Sequence, residues 1–203
     1  MGAMLWWGIY LAALVWSGIA PKDFYIWFLE VLPALIAAGV LVATRRRFPL
    51  TPLVYILILI HSLILMQGGH YTYAEEPVFN WLKEVFGWPR NNYDKLGHFA
   101  QGFIPAMVAR EILLRKAVVN GRGWLNFLVV CVCLAISAFY ELLEWWVAEL
   151  SGTEADAFLA TQGYVWDTQS DMALALLGAI TALFFLSRVH DRQLAVVQRQ
   201  GKE

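Results

Sequence analysis

The chain has 203 residues, of which 60% are hydrophobic and 15% charged, and its net charge is −1. A water-soluble domain carries roughly 25% charged residues, and one this apolar could not cover its own surface, so a soluble fold is excluded. The near-neutral balance gives no ground for nucleic-acid binding. The length allows one domain, and the expectation is an all-α, polytopic membrane protein, because only helices and closed barrels satisfy their backbone in lipid.

A hydrocarbon core of about 30 Å takes roughly 20 apolar residues per helix. Six stretches qualify, at residues 3–20, 24–44, 50–66, 96–114, 124–147 and 172–186, forming one bundle. The first has no basic region before Leu5 and no small-residue cleavage site after it, so it is expected to be a retained span and not a secretory signal. The second carries Glu30 and Pro33 and ends at Arg45-Arg46-Arg47. The third contains His61 and ends near Gly68-Gly69 and His70. Between the third and fourth, residues 77–88 place Phe79, Leu82, Val85 and Phe86 at three-to-four spacing, which predicts a short amphipathic helix at the membrane interface. The fifth carries Cys131 and Cys133, which face different directions on a helix and read as apolar packing groups.

Basic residues set the orientation. With the Arg45-Arg46-Arg47 loop in the cytoplasm, only Lys22, Lys83, Arg90 and Lys95 of the fifteen Lys and Arg fall on the outer side. Both termini are then inside. The carboxylates run the other way, with only Glu111, Asp191 and Glu203 inside.

Ionisable groups in or at the rim of spans are costly and point to function. Here they come in pairs spaced three or four apart, so each pair shares a helix face. Asp94 and His98 open span four, Glu141 and Glu144 close span five, and Asp167 and Asp171 open span six. The alternating direction of the spans puts all three pairs, and His70, in one outer layer. Clustered carboxylates repel and lose hydration on burial. Three compensations are open: a bound divalent metal (Zn, Mn, Mg or Fe), shared protons, or a local salt bridge from Lys95 or Arg90. Oxygen ligands with an imidazole suit such ions. Asp94, His98, Glu141, Glu144, Asp167, Asp171 and His70 are therefore the candidate metal ligands, with Glu141, Asp167 and Glu144 as candidate catalytic groups. The competing account leaves these residues at the rim, pointing separately into water.

Gln101 lies on the Asp94 face and is a candidate hydrogen-bond donor to a ligand or a packing group. Glu30 could join the cluster or sit exposed near Lys22. Tyr71, Tyr73, Trp145, Trp146 and Trp166 read as interfacial anchors. His61 reads as a packed histidine and His190 as a cytoplasmic one. Glu111 and Arg115 read as an ion pair at the inner rim.

The strings GGHYTYAEEPVFNWLKE, RNNYDKLGHFAQGF, AREILLR, SAFYELLEWW and TQGYVWDTQSDM resemble the bacterial inner-membrane proteins typified by YjdF, a family of unknown function. The resemblance runs from His70 to Gly178. More distantly, Asp94-Lys95-Leu96-Gly97-His98-Phe99, then Glu141 with Glu144, then Asp167 with Asp171, is similar to VanZ-like proteins, which are linked to glycopeptide-antibiotic tolerance. Those carry Glu-x-x-Gln where this chain has Glu141-Leu142-Leu143-Glu144. The resemblance implies the bacterial cytoplasmic membrane and no particular reaction. The functional expectation is a metal-dependent hydrolase or transferase with membrane lipid around it and a lipid or lipid-linked envelope substrate. The alternatives are a metal-free binding or transport protein with protonatable carboxylates, and a structural or assembly partner.

Overall fold

The computed structural model describes residues 2–151 and 162–200. Among these are seven α-helices: α1 (Ala3–Gly18), α2 (Phe24–Thr44), α3 (Pro52–Tyr71), α4 (Pro77–Phe86), α5 (Tyr93–Arg115), α6 (Arg122–Ser151) and α7 (Asp167–Gln200). A single 3-10 turn, Tyr73–Glu75, joins α3 to α4. Local chemistry sets several starts. Asp23 caps α2 by accepting from the Tyr25 and Ile26 amides at 2.7 and 2.9 Å, Pro52 opens α3, and Glu76 caps α4 through the Phe79 amide at 2.8 Å.

Four helices, α2, α3, α6 and α7, are long and apolar enough to cross a membrane. Helix α5 has the length but not the apolarity, and its packing explains why. It lies against α3, α6 and α7, and Asp94, His98, Gln101, Arg110 and Glu111 are all buried within the bundle. A helix shielded by neighbours need not present an apolar surface to lipid. Around it, one core joins α3, α5, α6 and α7 through Val54, Met107, Val129 and Ala179. A second joins α1, α2 and α3 through Tyr10, Val31 and Met66.

Helices α5 and α7 meet backbone to backbone. A Cβ on Gly102 would run into the Ala175 carbonyl, and one on Gly178 into the Phe99 carbonyl. Ala106, Ala175, Ala179 and Ala182 around the crossing are fully buried. Small residues let two helix backbones meet, the usual device for tight packing in membranes.

At the end of the bundle away from the acidic pairs, Glu111 accepts from the Thr51 amide and hydroxyl at 3.0 and 2.7 Å and from Arg115 at 2.8 Å. The expected Glu111–Arg115 pair is therefore present, but in the interior. His190, read from sequence as a cytoplasmic residue, is fully buried. Its Nε2 lies 3.0 Å from Glu111 and its Nδ1 2.9 Å from Arg110. Helix α7 continues past its apolar stretch and stays packed on α5, which carries His190 inward. A network this well supplied with partners ties α3, α5 and α7 together.

Candidate functional site

Each acidic pair reaches the opposite end of the bundle on its own helix, and the α5–α7 crossing sets two of the pairs face to face. Asp94, His98 and Asp171 are buried, and one ligand atom from each lies within 4.8 Å of the others. His98 Nε2 is 3.2 Å from Asp94 Oδ1. His98 Nδ1 is 3.2 Å from Gln101 Oε1 and 3.7 Å from Glu141 Oε1. Glu141 comes from α6, so three helices contribute. The rim account fails here, because Asp94, His98, Glu141, Asp167 and Asp171 are all buried.

Arg90 supplies part of the charge compensation. Its guanidinium bridges Asp167 and Asp94, the latter at 3.3 Å. Lys95 donates to the Ser170 hydroxyl at 2.7 Å. The segment before α5 is fixed by Asn91, whose side chain donates to the Glu76 carbonyl at 3.0 Å and to Asn80 at 2.9 Å, while its amide donates to Gln162 at 3.0 Å. Arg90 is thus held by the fold and not by a flexible loop.

Among the described residues, two buried carboxylate oxygens, Asp171 Oδ1 and Glu141 Oε1, have no hydrogen-bond partner. Burying such atoms unpaired is costly; a cation between Asp94, His98 and Asp171 would relieve the Asp171 oxygen, whereas Glu141 lies on the Nδ1 side of the His98 ring. The donor set fits one. Two carboxylates and an imidazole are suitable ligands. With Nε2 of His98 turned to the ion, Nδ1–H would donate to Gln101, as a ligating histidine ordinarily does to a second group.

Not every candidate converges. Asp167 is engaged by Arg90. Glu144 is not among the three converging residues but lines a cavity together with Asp94 and His98. His70 does not join the group: its Nδ1 lies 3.1 Å from the Ser17 carbonyl and its ring packs on Trp16 and Tyr71. Trp145, Trp146 and Trp166 are exposed, but Tyr73 is buried and is no surface anchor. Thr72 takes a φ of 62°, unusual for a β-branched residue, and swings Tyr73 back over α3, where only a glycine at 68 leaves room for the ring. There the phenol faces Glu30. Burial, and then the Glu30 carboxylate, push the Tyr73 hydroxyl well above the ordinary tyrosine range, so it remains a donor.

Glu30 is buried as well, and Lys22 pairs with Glu75 instead. Glu30, Tyr73, Asp94, His98, Gln101, Tyr140 and Glu144 form the polar end of a cavity of about 770 Å³ walled by α2, α3, α5 and α6. Glu30 and Tyr73 were legible only as separate residues near a span end. Their meeting depends on the Thr72 turn, which no local pattern announces.

A multi-helix membrane protein with a buried acid–histidine cluster beside an interhelical cavity is the class these features define. The chain belongs to the family described as predicted membrane protein (DUF2238), whose model matches residues 2–192. It is similar to the inner membrane protein YjdF of Escherichia coli (strain K12), with 58% identity over 181 residues, covering 89% of this chain and 87% of that one. No solved structure matches. The chain is accordingly a multi-pass protein of the bacterial inner membrane.

Proposed function

We propose that the protein is a metal-dependent hydrolase or transferase of the inner membrane, binding one divalent ion through Asp94, His98 and Asp171 and acting on a lipid or lipid-linked envelope substrate. The observation that supports the reading is the convergence of those three buried side chains, with one Asp171 oxygen left without a hydrogen-bond partner among the described residues. When bound, such an ion supplies Lewis acidity toward water or toward a phosphoryl or carbonyl oxygen. The chain's own residues do the rest. Gln101 orients His98. Arg90 holds Asp94 in place and keeps Asp167 from the ligand set. Glu141, next to His98 with an oxygen to spare, is placed to take a proton. The adjoining cavity admits an apolar substrate from the side.

The topology proposed with it has six spans and both termini in the cytoplasm, with the cluster on the periplasmic side. The clustering of Arg and Lys supports this orientation. Helix α1, at 16 residues, reaches about 24 Å and spans with help from its flanks. Helix α4 lies in the interface, since Val78, Trp81, Val85 and Phe86 leave an apolar face exposed.

Metal content by plasma mass spectrometry tests the reading. About one ion per chain in wild type, lost in Asp171→Ala and His98→Ala, is expected, three ligands being the ordinary complement of a catalytic site. Equal and negligible content in all three sinks it. A second reading is a metal-free binding or transport protein, and the Arg90 bridge favours it by supplying a cation already. That reading predicts ligand binding indifferent to chelators.

A further inference from the structure

The cavity has a direction. Its polar end, with Glu30, Tyr73, Tyr140 and Glu144, stands beside the cluster, and its other end is reached at Arg47 and Lys116. Along α5 it runs from His98 to Lys116, a rise of about 27 Å, well beyond the roughly 15 Å of one leaflet's hydrocarbon. The walls between are mostly aliphatic, with His61 and Ser62 of α3 among them. Val40 of α2, Ile112 of α5 and Ile136 of α6 line it and are also exposed. Among the described residues, α2 packs on α3, and α6 on α5 and α7, with no extended contact between α2 and α6. The cavity is therefore open between α2 and α6, the side that faces lipid in the orientation proposed above.

The geometry points to one occupant: an ethanolamine phospholipid of the outer leaflet, with an acyl chain in the groove and its primary ammonium between Glu30 and Glu144. The inference rests on this end of the bundle being the working site, but not on the ion. It names the lipid class presented there. Two carboxylates and two phenol rings form a cation-accepting end, since a carboxylate accepts N–H hydrogen bonds and an aromatic face attracts a cation. A trimethylammonium head has no N–H to donate, and a phosphoglycerol head has no cation. The buried end sets the orientation, because Glu30 is 4% exposed with the Tyr73 hydroxyl beside it, so an ammonium there would be held without competition from bulk water, whereas Arg47 and Lys116 are solvent-exposed.

The test is native mass spectrometry of the full chain reconstituted in vesicles of equal parts phosphatidylethanolamine, phosphatidylcholine and phosphatidylglycerol. The same samples are read for metal. Wild type should retain one phospholipid, with ethanolamine enriched about tenfold, the worth of one charge-assisted hydrogen bond. The pair Glu30→Gln with Glu144→Gln should hold a lipid but lose the preference. Ala37→Trp and Ile136→Trp, on opposite walls, should each cut lipid retention, with elution as a folded species as the control. No head-group preference in wild type overturns the inference. So does a preference unchanged in the glutamine pair, or phosphatidylglycerol retained through Arg47 and Lys116. If both tryptophan variants fold and keep the lipid, the groove is not its site. Ethanolamine lipid retained without metal overturns the metal reading alone, and metal retained without lipid preference overturns this inference alone.

Discussion

Arg90 shows how one side chain can decide what a cluster does. It sits between Asp94 and Asp167 with its side chain 9% exposed. Removing a buried partner leaves uncompensated charge behind, which costs more than the pair was worth. Arg90→Met should therefore destabilise the fold by about 3–5 kcal/mol, read as a lowered unfolding midpoint in detergent. A midpoint within error of wild type would mean the two aspartates do not depend on it. Sequence could name Arg90 only as one of two nearby cations, because its partner Asp167 lies 77 positions away and the choice between Arg90 and Lys95 is made by the fold. The structure gives Lys95 a serine hydroxyl instead.

At the scale of the element, the α5–α7 crossing determines whether a site exists at all. Asp94 and His98 meet Asp171 because Gly102 and Gly178 let the two backbones touch. Gly102→Val would press a branched side chain against the Ala175 carbonyl, and overpacking of this kind costs about 1–3 kcal/mol. It should lower the unfolding midpoint and, by parting α5 from α7, reduce metal retention further than its stability loss explains. An equivalent Gly39→Val, with open space around its Cβ, should do neither. The helices and their acidic pairs were legible in sequence because apolar runs and i,i+4 spacing are local signals. The crossing was not, since a glycine in an apolar run looks the same whether it faces lipid or another backbone. The burial of His190 was not legible for a related reason: it stands beside Asp191 and Arg192, and only the packing of α7 keeps it fully buried.

For the molecule as a whole, polarity runs along the bundle. The acid–histidine end and the Glu111–His190 end are joined by α5, which is polar at both ends and shielded by its neighbours. The orientation proposed above puts the Arg45-Arg46-Arg47 loop inside and residues 77–88 outside. Single cysteines at Arg46 and Lys83, in a background lacking Cys131 and Cys133, should differ in labelling by an impermeant maleimide in intact cells, with only the position-83 variant modified. Labelling at 46 instead would invert the topology and move the cluster to the cytoplasmic face.

The most direct measurement is anomalous-difference density at a metal edge in a structure of the wild-type chain. One peak is expected at ligand distance, about 2.0–2.2 Å for zinc, from Asp94, His98 and Asp171. No peak there, with Arg90 and ordered water filling the space between those side chains, would contradict it.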